Sequence, residues 1–254
     1  MLHRMNMPLT RFVRPDKRKP FAMEESVFAI ESTPETQLLT SIEIHNDVAA
    51  GYQTAYANDE AHARSLQWLI ANLPTGSKVY DVGSGTGKPT ASTLVEAGME
   101  VTGIDNSPVM LAIAREQVPK AKFIEADLRT WEPHPSEEAA DCVVAYFSLI
   151  ADVTQDDIRG FFIRVYRWLK PGGLFVFGTV PLAGNLVPCK WLGRNEVASG
   201  LDTHDNLNSI SAAGFTVERH ESEIFLPNAV EAGLCGEEEN FSCEHLFVYA
   251  RRPI

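Results

Sequence analysis

The sequence predicts an α/β domain built on a doubly wound, mainly parallel sheet. Three observations carry this expectation. Short β-branched or aromatic runs alternate with helical periods from Lys78 onward. A glycine-rich turn joins the first of these strands to its helix. A nearly all-apolar run from Leu174 to Val180 has the composition of a central strand buried on both faces.

The elements follow in order. Leu66, Leu69, Ile70 and Leu73 recur at helical spacing over 61–73, and Pro74-Thr75-Gly76 stops that helix. Lys78–Val82 is the first strand, and a helix over 88–97 follows the glycine turn with Pro89 in its first turn. Gly98 closes that helix and Met99–Ile104 is the second strand. Ser107-Pro108 starts the next helix, the serine capping free amides and the proline taking the first helical position, and it runs to about Gln117. Ala121–Glu125 and Ala140–Tyr146 are the third and fourth strands.

Thr154 caps a helix whose Ile158, Phe161, Phe162, Val165 and Leu169 form one apolar face, and Lys170-Pro171-Gly172-Gly173 ends it. Leu174–Val180 is the fifth strand. Residues 181–200 show no clear period and are expected to shape part of a ligand pocket. A helix from Asp202 then stops at Gly214, and strands at Phe215–Ile224 and Ser242–Ala250 complete the chain.

A chain of 254 residues with 44% hydrophobic content can bury one large core. We expect a domain over 41–254, preceded by an N-terminal extension over 1–40 that is partly disordered. The extension is basic, with Arg4, Arg11, Arg14, Lys17, Arg18 and Lys19 against Asp16 in its first 23 residues. That bias is one mark of a mitochondrial transit peptide, but no amphipathic period accompanies it and Pro8, Pro15 and Pro20 interrupt it, so a disordered tail is the plainer account.

The longest uncharged apolar runs are about ten residues, against the roughly 20 a membrane-spanning helix needs, and no membrane partner is expected. A net charge of −12 repels phosphate backbones, so no nucleic-acid partner is expected either. Cys142, Cys189, Cys235 and Cys243 form no C-x-x-C pair, consistent with reduced thiols in a cytoplasmic protein.

The chemistry concentrates in Asp81-Val82-Gly83-Ser84-Gly85-Thr86-Gly87, a strand running into glycines at alternate positions. Glycines let main-chain amides approach a ligand and accept positive φ. The spacing is G-x-G-x-G, unlike the G-x-G-x-x-G of dinucleotide-binding turns. Asp105 ends the second strand, where a carboxylate can take both hydroxyls of a ribose, and Ala126-Asp127-Leu128 follows the third, where a carboxylate can accept an adenine amino group.

With Gly103-Ile104-Asp105, Glu125-Ala126-Asp127-Leu128, Asp141–Tyr146, Leu169–Gly173 and Ala213-Gly214-Phe215 in the same order, the sequence over about 40–252 resembles the class I S-adenosylmethionine-dependent methyltransferases, in their small-molecule, ubiquinone-biosynthesis-like branch. The resemblance implies a Rossmann-like seven-stranded sheet of order 3-2-1-4-5-7-6 with the last strand antiparallel. It implies S-adenosyl-L-methionine as cofactor, a small-molecule acceptor and a role in biosynthesis. By this similarity Gly83 and Gly85 line the methionine part, with Ser84 and Gly87 completing the turn, and Asp81 orients the loop and the cofactor's amino group. Asp105 holds the ribose, flanked by Asn106 and Met110. Ala126, Asp127 and Leu128 frame the adenine, and Tyr146 and Phe147 line the methyl-transfer side.

Upstream, His45-Asn46-Asp47-Val48-Ala49-Ala50-Gly51-Tyr52 is similar to the family's Tyr-Asp-x-x-Ala-x-x-Tyr lid, Tyr52 matching the second tyrosine and His45 replacing the first. His45 is the candidate base, weighed against a surface histidine on a lid. No metal site is expected, because Asp156 and Asp157 lie where helix caps carry carboxylates. His62 and His204 read as surface residues, while Trp191 either builds an aromatic acceptor wall or simply packs. The sequence leaves open the acceptor, the methylated atom and the oligomeric state. It also leaves open two rivals on the same scaffold: a non-methylating reaction such as a cyclisation, and a cofactor-binding regulatory subunit.

Overall fold

The computed structural model describes residue 30 and residues 36–254. The basic, acid-poor stretch over 1–23 lies outside the described residues, as does most of the expected extension.

The first element is a helix, α1 (Ser41–Tyr56), which sequence periodicity did not reveal. Its start is a capping box: the Thr40 side chain accepts from the Glu43 amide and the Glu43 carboxylate accepts from the Thr40 amide, satisfying two donors that a helix end otherwise leaves free. Then come α2 (Glu60–Asn72), β1 (Lys78–Val82), α3 (Thr90–Glu96), β2 (Glu100–Asp105), α4 (Pro108–Gln117), β3 (Lys122–Glu125) and β4 (Ala140–Tyr146). Ser107 caps α4 with Pro108 at its first position, as expected. Helix α3 begins at Thr90, so Pro89 is its cap and not a first-turn residue.

Helix α5 (Gln155–Trp168) leads into β5 (Leu169–Thr179), followed by β6 (Gly184–Trp191), β7 (Arg194–Gly200), α6 (Thr203–Ala212), β8 (Thr216–Phe225) and β9 (Cys243–Arg251). Asp157 closes a capping box with Thr154 at the start of α5, the capping role expected for it. The Lys-Pro-Gly-Gly segment is absorbed into the beginning of β5 as an irregularity: Ala140 pairs with Leu169 but Cys142 pairs with Leu174.

The main sheet has the order β3-β2-β1-β4-β5-β9-β8. Strands β1 to β5 run parallel, and β9 is antiparallel to both of its neighbours. Renumbered without the extra hairpin, this is the expected 3-2-1-4-5-7-6. Alternation along β4 divides the core. Val143 and Ala145 face α5 and its Phe161, Phe162 and Val165. Cys142, Val144 and Tyr146 face α2 and α3 with Leu66, Leu69 and Leu94. Each such fully buried large apolar side chain stabilises the fold by roughly 1.5–3 kcal/mol relative to exposure.

The segment over 181–200 departs from expectation. It is an antiparallel hairpin, a two-stranded sheet of its own, with Cys189 opposite Glu196 and Trp191 opposite Arg194. Its two-residue turn is Leu192-Gly193, both at positive φ (47° and 78°), as a primed turn requires. Leucine disfavours that conformation, so the turn carried no sequence signal. Burial of Leu192 in a third cluster with Ile44, Val48 and Met110 offsets the strain.

Sheet order reverses direction at β1, whose neighbours β2 and β4 lead away to opposite sides. Ligand crevices in such sheets open at the carboxyl ends of the strands flanking this point.

Candidate functional site

At the carboxyl end of β1 the chain turns tightly against β2. The amides of Gly83 and Ser84 both donate to the Ile104 carbonyl, at 2.7 and 3.0 Å. Gly83 has φ +80°, and a Cβ there would stand 2.0 Å from the Cβ of Ser148, so only glycine fits. Gly85, at φ +50°, differs: a Cβ there would meet nothing within 4 Å, because it faces open cavity. The Gly85 amide donates to Asp105 Oδ2 at 2.8 Å and the Ser107 amide to Oδ1 at 2.9 Å. The Asp105 carboxylate is thereby fixed at the tip of β2, with lone pairs left for further donors.

Asp81 lies beneath this turn, 2% exposed, and its Oδ2 has no hydrogen-bond partner. Burial, reinforced by the charge of Asp105, pushes its carboxyl up to about 8. The Ser84 and Ser148 hydroxyls are likewise buried and unpartnered. Unpaired polar groups in a protein interior are costly, and together these three call for a ligand that brings a cation and hydrogen-bonding groups.

They border a cavity of about 890 Å³, near the upper end of the roughly 300–1,000 Å³ usual for small-molecule sites. Every site residue expected from the sequence stands on its wall except Gly87 and Ala126. Gly87 instead lets the turn pack on Phe123 and Val118, which a Cβ would approach to 3.2 Å. Ala126 joins β3 to β2 through its amide, which donates to the Asp105 carbonyl at 2.9 Å, and packs on the α5 core. Asp127 is on the wall, but its carboxylate is gripped by the Arg129 guanidinium at 2.6–3.0 Å, which holds it below the usual carboxylate range.

Helix α1 covers the cavity. Gln53 donates to the Thr86 hydroxyl at 2.6 Å, Asn46 accepts from the Ser107 hydroxyl at 2.7 Å, and the Ser41 amide donates to the Asp152 carboxylate. Its two predicted residues, His45 and Tyr52, face inward. The His45 Nδ1 lies 2.7 Å from the Ser41 carbonyl, which can only accept, so the proton sits on Nδ1 and Nε2 carries the lone pair. Trp191 does build an aromatic wall: with Tyr52 and Tyr56 it lines the cavity, and its indole N–H donates to the Tyr56 hydroxyl at 3.2 Å.

Sequence reasoning missed four wall residues. His62, expected at the surface, is half-buried on the wall with Nε2 3.1 Å from the Thr90 hydroxyl. Burial, against the pull of Asp59, pushes it down to about 4, so it is neutral at physiological pH. Asp59 caps α2 through the His62 amide (2.9 Å) and also accepts from Nδ1 of His245 at 2.8 Å. Burial works against its ionisation, but the bonds from His245 and the His62 amide hold its carboxyl below the usual range. His245 is 1% exposed and packs at a tilt against Phe147, with ring centroids 4.2 Å apart. The signal was present: His245 shares with Phe247 and Tyr249 the buried face of β9, where a histidine needs a partner. The fourth, Glu196, is on the hairpin that the sequence did not disclose.

Residues 79–173 match the family model described as "Methyltransferase domain". A trans-aconitate 2-methyltransferase of Delftia acidovorans is 36% identical over 122 residues, 47% of this chain and 44% of that protein. The chain spans about half the length of the curated relatives it matches. In fold it is similar to DhpI, solved as a complex with SAH (TM-score 0.60, 21% identity, 84% of this chain and 95% of that one). It is similar also to the [4+2]-cyclase SpnF (TM-score 0.63, 21% identity, 86% and 98%). The matched segment contains the glycine turn, Asp105 and Asp127 at the strand tips that open into the cavity, and the strand order continues the same architecture on either side of it. The sequence match thus places a methyltransferase-domain segment at residues 79–173, and the strand order around it is that of a fold shared with these solved structures.

Proposed function

We propose that the protein transfers a methyl group from S-adenosyl-L-methionine to a small-molecule acceptor, as a cytoplasmic enzyme of biosynthesis. The observation that carries this is the convergence of open space over Gly85, a fixed carboxylate at Asp105 and an unpaired buried carboxylate at Asp81. An adenosyl amino acid has the matching parts: a ribose diol for Asp105 and an ammonium group for Asp81. When bound, the cofactor supplies an electrophilic methyl on a sulfonium, and transfer is an in-line displacement whose main demand is alignment in a dry pocket.

The residues divide that task. Asp105, flanked by Asn106 and Met110, fixes the ribose. Asp127 and Leu128 bound the adenine end, where Arg129 shares the Asp127 carboxylate with the base. Tyr146 and Phe147 close the methyl side, and α1 excludes water through Tyr52 and His45. Two histidines are placed to take a proton from an acidic acceptor, His45 and His245. In both, an oxygen acceptor on Nδ1 leaves Nε2 as the basic nitrogen. His245 is the better oriented, because its partner is a carboxylate that stabilises the charged ring.

Incubation with methyl-labelled cofactor and metabolite extracts, followed by mass spectrometry, tests the proposal. A labelled small product is expected. A cyclised but unlabelled product, or cofactor binding without any turnover, would replace it with one of the two rival readings.

A further inference from the structure

The hairpin formed by β6 and β7 covers the cavity with one face. Strand alternation puts Val187, Cys189 and Trp191 of β6 on that face, opposite Ala198 and Glu196 of β7. Four of these five side chains are apolar or weakly polar, and the fifth is a carboxylate. Glu196 is 4% exposed; its Oε1 meets only the Cys189 thiol at 3.9 Å, and Oε2 has no partner. Burial, with Asp152 nearby, pushes its carboxyl up to about 8, which is how an acid behaves when it lacks a cation.

No hydrogen bond or ion pair joins Glu196 to a cation of the wall. Six carboxylates line the cavity (Asp59, Asp81, Asp105, Asp127, Asp152 and Glu196) against three cations, Lys88, Arg129 and Lys190. Arg129 is paired with Asp127, and Lys190 with Glu239 at 3.2 Å. Asp81, Asp105 and Asp127 serve the cofactor in the proposed reading, Asp59 holds His245, and Asp152 accepts from the Ser41 amide. Glu196 remains, beside the packed aromatic rings of Tyr52, Tyr56 and Trp191. Aromatic faces next to a desolvated carboxylate favour an organic cation.

We propose that the acceptor is an amine-bearing molecule with an apolar or aromatic body, and that Glu196 is the residue that holds its protonated amine. This rests on the methyltransferase reading of the site. It sets the chain apart from a relative named for trans-aconitate, since a polycarboxylate would enter a wall already rich in acids.

The test uses the full chain saturated with S-adenosylhomocysteine and three probes that share an aryl body and differ in head group: 2-phenylethylamine, 2-phenylethanol and phenylacetate, each titrated by calorimetry. The amine is expected to bind roughly tenfold to a hundredfold more tightly than the alcohol, the range of one charge-assisted hydrogen bond, and phenylacetate most weakly. Glu196→Gln should erase the preference for the amine, with S-adenosylhomocysteine affinity measured on the variant as the check on folding. Equal or tighter binding of the alcohol or the carboxylate, no binding of the amine, or a preference surviving in Glu196→Gln would overturn the assignment. If the wild-type protein fails to bind S-adenosylhomocysteine itself, the methyltransferase reading falls, and that failure is seen before any probe is added.

Discussion

With Asp81 assigned to the cofactor's amino group as proposed, cofactor affinity becomes a function of pH, with a sign and size that follow from the position of that carboxyl. In the empty protein its carboxyl titrates near 8, because burial and the neighbouring Asp105 both disfavour a second negative charge. Pairing with an ammonium requires the ionised form, so below that pH binding includes the cost of removing a proton. Each pH unit is worth ~1.4 kcal/mol, a factor of ten. The affinity for S-adenosylhomocysteine is therefore expected to rise by roughly a hundredfold between about pH 6 and about pH 8 and then level off. Calorimetry across that range measures it directly, and Asp81→Asn, which keeps the shape but cannot ionise, should bind weakly with no such slope. A flat profile in the wild-type protein, or a slope that persists in Asp81→Asn, would refute the assignment of Asp81 to the cofactor's amino group.

Four further outcomes are expected. Asp105→Ala removes the group proposed to hold both ribose hydroxyls, at about 1.5–3 kcal/mol per hydrogen bond to a charged group, so S-adenosylhomocysteine affinity should fall by roughly a hundredfold or more in calorimetry. Gly85→Val places a side chain in open cavity at positive φ, so it should abolish cofactor binding while circular dichroism stays native, whereas Gly83→Ala, aimed at Ser148, should lower the melting temperature. Once an acceptor is known, single-turnover rates separate the two histidines: His245→Gln or Asp59→Asn should slow transfer and move the acidic limb of the pH profile, and an unchanged rate in His45→Ala would leave His45 as lid packing. Asp81 and Glu196 both keep their protons to about 8 in the folded, ligand-free protein, well above the roughly 4 of an unfolded carboxyl. Their contribution to stability is present below about 4 and lost as pH rises through about 8, so the ligand-free melting temperature should drop over that interval and Asp81→Asn or Glu196→Gln should each flatten the decline.

What could be read from the sequence follows a physical division. The cofactor side is built from local chemistry: glycines at fixed offsets, carboxylates at strand ends, serine and proline at a helix start. Such features announce themselves within a few residues, and β1 to β5 fall within about two residues of expectation apart from the earlier start of β5. The opposite wall of the cavity, the side proposed for the acceptor, is assembled from residues distant in sequence. Asp59 meets His245 across 186 positions, a pairing that no local pattern encodes. The hairpin was hidden because its turn places Leu192 where glycine or asparagine normally signals, and tertiary burial forces that choice. The start of α1 was legible in principle, since Thr40-x-x-Glu43 is a capping-box spacing.

The same division separates what the chain shares with its relatives from what is its own. The matched segment, residues 79–173, ends before the hairpin and begins after α1 and the Asp59 cap. Most of the groups that would touch an acceptor, among them His45, Tyr52, Tyr56, Trp191, Glu196 and His245, lie outside it. In the proposed reading acceptor choice is carried by a lid, a hairpin and the last strand, three elements closing over a cavity whose floor is the main sheet. A change in specificity then needs no change in the cofactor turn: altering Glu196 on β7 should change which head group is taken, and altering Asp59 or His245 should change how its proton leaves. Had the hairpin face been wholly apolar, the cavity would discriminate by shape alone; one buried carboxylate on it makes charge the selecting property.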